Sequence, residues 1–372
     1  MKSGWVTKKL GEVCEIDYGT RVRRKDSRSD KYPVYGGGGE TFRWETFNRE
    51  DQCVVSRFAM SPECVRFVSG KFFLNDSGLT VDTASDGLWQ DYLDWCLFGK
   101  QDVIYALGKG SAQKNLDIRE FVNVSIPIPP LSEQKRIVKK IDAAFEKIDA
   151  LKANAEKNLA NAKELFQSAL DEAMRPKKGW VEKRLGEIGE TLTGTTPSTK
   201  DKDNYGEFMP FVKPGDIMPF LPIQYRVEGL SRKGVGLSRL VKKDSVLMVC
   251  IGSIGKTGYA DRDCTCNQQI NALMPVAGFY GRYLYYVLSS EKFKQKVIDA
   301  AGQTTLPIIN KSKWENLSIS VSLSLVEQRD IVKRLDALSS KLETLQQNYT
   351  RQIADCVEMR QAILHEAFEG RL

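Results

Sequence analysis

The chain has little of what most enzymes carry. Its single histidine, His365, falls in the last turns of an expected helix, where solvation of a helix end is a better reading than chemistry. No run of 18 apolar residues occurs, and the opening Met1-Lys2-Ser3-Gly4-Trp5 lacks a signal-type hydrophobic core. A cytoplasmic protein without a membrane segment is therefore expected. The cysteines Cys14, Cys53, Cys64, Cys96, Cys250, Cys264, Cys266 and Cys356 sit mostly inside apolar runs without regular spacing, which favours buried, reduced thiols over disulfides. Cys264-Thr265-Cys266 has no second cysteine pair and no nearby histidine, so no metal site is assigned. There is no Asn/Asp-Pro-Pro-aromatic tetrad, no glycine-rich methyl-donor loop and no distinctive nuclease core. Gly252-Ser253-Ile254-Gly255-Lys256-Thr257 imitates a phosphate loop, but Cys250 stands where that motif requires its first glycine. A turn between strands, with Lys256 available to a phosphate, is expected instead. No catalytic residue is assigned.

What is present is said twice. Gly4-Trp5-Val6-Thr7-Lys8-Lys9-Leu10-Gly11-Glu12 returns as Gly179-Trp180-Val181-Glu182-Lys183-Arg184-Leu185-Gly186-Glu187, an offset of 175 residues from Trp5 to Trp180. Leu131-Ser132-Glu133-Gln134 returns as Leu325-Val326-Glu327-Gln328, now at an offset of 194, and this offset persists to the C-terminus. Two half-molecules are joined in tandem, each a variable globular part followed by a long helix of fixed length. The change of offset makes the second globular part about 19 residues longer. Four segments follow: globular parts over 1–131 and 176–324, and long helices over 132–175 and 325–372.

Pro127, Pro129 and Pro130 precede the first helix and Pro176 follows it, with no proline or glycine between. About 44 helical residues make a rod of roughly 65 Å. Ile137, Ile141, Ala144, Ile148, Leu151, Ala155, Asn158, Ala162, Leu165 and Ala169 follow a 4-3 spacing. The same register in the second helix gives Ile331, Leu335, Leu338, Leu342, Leu345, Tyr349, Gln352, Cys356, Met359 and Ile363. This is the pattern of a coiled-coil seam. Small residues in one helix face large ones in the other, so the two helices are expected to pair within the chain. Asn158 and Gln352 would set the register. A twofold relation between the repeats would make the pair antiparallel, with the globular parts at opposite ends of the rod.

The globular parts read as mixed and strand-rich, giving an α+β class: two such domains separated by a long antiparallel two-helix coiled coil, in a pseudo-twofold tandem repeat. Strands are expected around Cys53–Ser56, Cys64–Val68, Phe72–Leu74, 245–251, 124–128 and 317–321, and short helices around 91–98 and 281–289. The net charge is +7, and the whole surplus lies in the second globular part. The first part still gathers Arg21, Arg23, Arg24, Lys25, Arg28 and Lys31 within eleven residues. Basic clusters beside glycine-rich polar loops suit a phosphate backbone and base edges. The candidate DNA contacts are Arg21, Arg23, Arg24, Lys25, Tyr35, Arg43, Lys109 and Lys114 in the first part. In the second they are Lys200, Lys202, Lys213, Arg232, Lys233, Lys256, Thr304 and Lys311. A protein-binding scaffold built on the coiled coil is the alternative reading.

The tandem layout, the Gly-Trp…Leu-Gly-Glu segments at Trp5 and Trp180, and the helix openings at 129–138 and 325–332 resemble the specificity subunits of type I restriction-modification enzymes. Gly110-Ser111-Ala112-Gln113-Lys114-Asn115-Leu116 and Gly255-Lys256-Thr257-Gly258 strengthen the resemblance, which covers the whole chain. Leu323-Ser324-Leu325 departs from the family's usual Pro-Pro-Leu. The resemblance implies two target recognition domains, each reading half of a split, asymmetric duplex DNA target, with the helices as spacer. It also implies two modification subunits that methylate adenine, and restriction subunits that cleave. S-adenosylmethionine, ATP and Mg are then expected on those partners, with no cofactor bound by this chain.

Overall fold

Val6–Lys9 pairs antiparallel with Ser125–Ile128, so the first globular part is closed by its own two ends. Val181–Arg184 pairs with Ser318–Val321 in the same way and closes the second. Residues 4–111, 113–302 and 306–372 are described in this computed structural model. They divide into two compact units, Met1–Asn154 with Gln352–Leu372, and Ala155–Arg351. Each unit therefore contains one globular part and a segment of each long helix. The fold is α+β and repeated in tandem. Among the described residues no helix is long and apolar enough to cross a membrane.

In the first unit six strands form one sheet. Their order is Cys14–Tyr18, Gly78–Thr83, Arg49–Ser56, Val65–Leu74, Tyr32–Tyr35, Glu40–Trp44. All contacts in it are antiparallel except Tyr32–Tyr35 against Val65–Leu74. Val54 and Val55 are sealed within Arg49–Ser56, whose other end is wet; β-branched residues suit such a half-buried pleat. In the second unit the four-stranded order is Gly189–Thr193, Ile270–Pro275, Val246–Val249, Thr257–Tyr259. A three-stranded sheet beside it pairs Phe211–Val212 parallel, and Leu240–Val241 antiparallel, with Cys264–Cys266. The stretch resembling a phosphate loop is the turn between Val246–Val249 and Thr257–Tyr259.

The long helices span Leu131–Ala173 and Leu325–Phe368. In the first unit their segments run antiparallel. Arg136 donates to the carbonyl of Leu372 at 2.8 Å, while the Arg360 guanidinium lies 4.4 Å from the Phe145 ring and donates to Asp149 at 3.4 Å. Ile137, Ile141 and Phe145 share one core with Leu364 and Ala367, beneath Leu10, Tyr92, Leu97 and Phe121. In the second unit Phe166, Leu170 and Met174 share a core with Ile331, Val332, Leu335 and Leu342. Asp142 accepts the Trp95 indole N–H at 3.0 Å. At the same repeat position Asp336 accepts the Tyr286 hydroxyl at 2.5 Å and the Arg282 Nε–H at 2.9 Å. Each globular part is thus clamped to the helix that follows it.

The expected seam positions divide. Ile137, Ile141, Ile148, Ile331, Leu335 and Leu342 are buried. Leu151, Asn158, Leu165, Leu345, Gln352 and Met359 are exposed, Leu165 to 74%. The covered line runs Ile141, Phe145, Ile148, Lys152, Ala155, Leu159, Ala162 and Phe166 in one helix, and Leu335, Ser339, Leu342, Gln346, Tyr349, Ile353, Cys356 and Arg360 in the other, all buried or half-buried. The steps are four then three from Ile141 and Leu335, where three then four was expected. Phe145 and Phe166 explain the phase, because an aromatic ring removes far more apolar surface from water than Ala144 or a single leucine.

Candidate nucleic-acid interface

A tight turn at Asn75–Gly78 ties four loops of the first unit together. The Asn75 side-chain oxygen accepts the Ser77 N–H at 2.7 Å and the Ser77 hydroxyl at 2.8 Å, an Asx turn of the kind asparagine favours. On one side Gly19 donates to Gly78 O and Thr20 to Leu74 O. A Cβ on Gly19 would stand 2.0 Å from the Asn75 carbonyl, so only glycine fits. On another side Asn75 donates to Tyr35 O at 2.8 Å, and the Ser77 hydroxyl accepts the Gly37 N–H at 3.2 Å, at the head of the tetraglycine loop. Arg57 and Phe58 both donate to Ser77 O, Leu116 donates to Arg57 O, and Met60 to Lys114 O. Loops 18–25, 35–39 and 56–60 and residues 113–116 are therefore assembled around one turn.

The second unit repeats the device. Gly194 donates to Ile270 O, Thr195 to Cys266 O, Asn267 to Val212 O, Cys250 to Gln269 O and Ile309 to Cys250 O. A Cβ on Gly194 would meet the Asn267 carbonyl at 2.2 Å, and the Asn267 side chain accepts the Gln269 N–H at 3.1 Å. The backbone scaffold is the same and the side chains differ. Tyr18, Arg57 and Phe58 stand where the other copy has Thr193, Cys250 and Ile251.

Part of the candidate set lies exposed or half-buried on the surface of the two units. Arg21, Arg24 and Lys25 are exposed on the loop leaving Gly19-Thr20, with no acid partner among the described residues; Arg23 pairs with Asp26 at 3.3 Å, both exposed. Lys114 lies 4.1 Å from the Tyr105 ring on the loop beside Met60. In the second unit Lys202 and Lys213 line one open cleft of about 700 Å³ with Tyr205 and Phe211. Lys200 and Arg232 are exposed nearby in sequence, Arg232 stacked 4.8 Å from Phe208. Lys256 is half-buried beside Gly255.

Other candidates are occupied by the fold itself. Tyr35 turns its ring onto Phe72, 5.7 Å away edge-on, and packs on the core. Arg43 donates to Asp30 O, Lys31 O and Glu40, bracing the basic loop. Lys109 pairs with Asp117, which is held below the usual carboxylate range chiefly by that bond. Lys233 does the same to Asp201 at 2.7 Å, and Lys311 to Glu315 at 2.7 Å. Thr304 lies outside the described residues. Arg57, Asn75, Ser77 and Asn267 were missed by sequence reasoning. The repeated Gly19-Thr20 and Gly194-Thr195, at the first offset, were the available signal for the turn.

Two copies of one cradle with unlike side chains define a class of protein that presents two non-identical recognition surfaces. Residues 2–161 and 177–353 match the type I restriction modification DNA specificity domain, and the chain belongs to this family. It is 23% identical over 333 residues to the type I restriction enzyme EcoBI specificity subunit of Escherichia coli, covering 80% of this chain and 69% of that one. A match to the MjaIX specificity subunit of Methanocaldococcus jannaschii is 28% identical over 170 residues but spans only 45% of this chain and 39% of the relative. A solved chain from a study of complex assembly and conformational transition of the type I R-M system superposes with a TM-score of 0.74. It is 21% identical and covers 100% of this chain and 99% of that one. That likeness establishes a shared fold.

Proposed function

We propose that this chain is the sequence-specific DNA recognition subunit of a type I restriction-modification complex. The globular parts, 1–131 and 176–324, act as two target recognition domains, each reading one half of a split, asymmetric duplex site. The chain is a reader and not itself an enzyme. The observation that carries this reading is the duplicated turn, at Asn75 and Asn267, which holds corresponding loops in both units while changing the side chains they present. A fixed scaffold with variable groups is what two different half-sites require.

The long helices, 132–175 and 325–372, offer docking surfaces to two modification subunits, and restriction subunits join that assembly. S-adenosylmethionine for adenine methylation, and ATP with Mg for cleavage, belong to those partners. Such a complex works in the cytoplasm. The test is selection from a randomised duplex library by the full chain assembled with its modification subunits. Enrichment of two short sequences at a fixed gap is expected. Recovery of random sequence by a stable complex would favour the scaffold reading.

A further inference from the structure

Arg57 follows the strand Arg49–Ser56, and its backbone is fixed on both sides: its N–H donates to Ser77 O at 2.8 Å and its carbonyl accepts the Leu116 N–H at 2.8 Å. Its guanidinium contacts two rings, 4.7 Å from the Tyr18 centroid and 4.6 Å from that of Phe58. Both rings are themselves partly open, Tyr18 at 43% and Phe58 at 37% exposure. Contacts with two rings hold the guanidinium in place without using its N–H donors, which remain available to a partner. Among the described residues no acceptor takes those N–H groups, and none of its nitrogens is sealed from solvent. By contrast Arg66, nearby, gives its Nη2 to the Gly37 and Glu63 carbonyls.

The ground around Arg57 admits a large partner. A Cβ on Gly38 or Gly39 would meet nothing within 4 Å, so the tip of the tetraglycine loop is bare backbone. The next segment is strained in a way that fixes it, with Ala59 at φ 49° and its N–H donated to the Asn115 side chain. Arg21, Arg24 and Lys25, with no acid partner among the described residues, leave the same turn through Gly19-Thr20. At the equivalent backbone address the second unit has Cys250, buried at 3% exposure, so no donor fork exists there.

We infer that Arg57 is a specificity-determining residue: its guanidinium donates in a bidentate pair to the O6 and N7 acceptors of a guanine, in the half-site read by the first unit. This rests on the DNA-reading function proposed above. A phosphate offers a similar acceptor pair, but needs only charge and tolerates a mobile side chain. A half-buried fork held against two rings suits the fixed edge of a base, and arginine against guanine is the commonest specific contact of this kind. Its conformational freedom is already reduced by the two ring contacts, which favours selectivity in the bound state.

The test compares the full chain with Arg57→Ala and Arg57→Lys, each co-expressed with its modification subunit in a methylation-free host, followed by sequencing of modified adenines. The expected result is loss of a guanine requirement at one position of one half-site in both variants, by roughly 5- to 150-fold, with the other half-site unchanged. The retained half-site reports that the variant is folded and assembled. An unchanged motif, or full rescue by Arg57→Lys, overturns the inference and reassigns Arg57 to a phosphate. Absence of any motif with the unsubstituted chain instead defeats the DNA-reading function itself. If both variants lose all modification, binding of the unsubstituted complex to duplexes carrying 7-deazaguanine decides: weakening at one position only supports the fork, and equal affinity at every guanine overturns it.

Discussion

Gln134 and Gln328, 194 residues apart in sequence, make the same three hydrogen bonds. Gln134 accepts the Trp89 N–H at 2.8 Å and donates to the carbonyls of Gly87 and Pro129 at 2.7 and 2.8 Å. Gln328 accepts the Tyr280 N–H at 2.8 Å and donates to Gly278 and Ser322 at 3.1 and 2.9 Å. Both are fully buried. Each amide stitches the loop before a short helix to the first turn of a long one. This explains why the glutamine recurs at the two helix starts.

Replacing either glutamine removes the partner of a half-buried backbone N–H and of two carbonyls, one of them buried, and a group sealed from water costs about 1–3 kcal/mol when unsatisfied. Gln134→Ala is expected to destabilise the first unit by roughly 3 kcal/mol, and Gln328→Ala the second by a similar amount. Hydrogen exchange resolved along the chain checks this. Equal loosening of both units by either variant would contradict the assignment of one stitch to each.

The phase of the helix seam gives a sharper contrast. Phe145→Ala and Phe166→Ala remove buried rings and should each cost about 3–5 kcal/mol. Leu151→Ala and Leu165→Ala change exposed side chains and should stay within about 0.5 kcal/mol. Denaturant midpoints measure all four; a larger loss at Leu165 than at Phe166 would restore the other phase.

Asp94 is buried beside Gln90, and burial, with Asp91 and Asp82 adding to it, pushes its carboxyl up to about 7 despite the Gln90 hydrogen bond. An unfolded aspartate titrates near 4. Between about pH 4 and 7 the folded state therefore binds more protons than the unfolded one, and stability falls as pH rises through this window. Asp94→Asn keeps the acceptor and removes the charge. The variant should be more stable than the parent at pH 8 by a few kcal/mol, on the order of 1.4 for each tenfold difference in proton affinity between the folded and unfolded carboxyl, and nearly equal at pH 4. Thermal denaturation at the two pH values reads this directly, and an unchanged pH dependence in the variant counts against it.

The cations divide by whether the fold already uses them. Arg21→Ala and Arg24→Ala should each lower the slope of log affinity against log salt by about 0.9, as for one lost phosphate contact. Lys233→Ala and Lys109→Ala, whose charges face Asp201 and Asp117, should move it much less. Binding of the assembled complex to duplex DNA across a salt series distinguishes them.

The repeat, the proline-bounded helices and the strand-rich parts were legible because they depend on local signals: offsets, helix breakers and apolar runs. The seam phase was not. Ile137 and Ile141 both face inward, so either continuation was open, and Leu151 and Leu165 pointed to the wrong one while two phenylalanines decided it. The basic loop could be read from its density of arginine and lysine. Whether a given cation was free could not, because Lys109, Lys233 and Lys311 meet their acids through folding. Arg57 was invisible for the opposite reason. It stands alone between Ser56 and Phe58, and its stack with Tyr18 exists only once the sheet brings positions 18 and 57 together.

Two unlike recognition surfaces in one chain should read two unlike half-sites. The most direct measurement of this is the pattern of adenine methylation across the genome of a methylation-free host expressing this chain with its modification subunit. One asymmetric motif is expected, with two short specific segments at a constant gap, modified in nearly every copy. A continuous or palindromic motif would contradict the reading by two different units, and no modification from a stable, assembled complex would contradict the role of DNA reader.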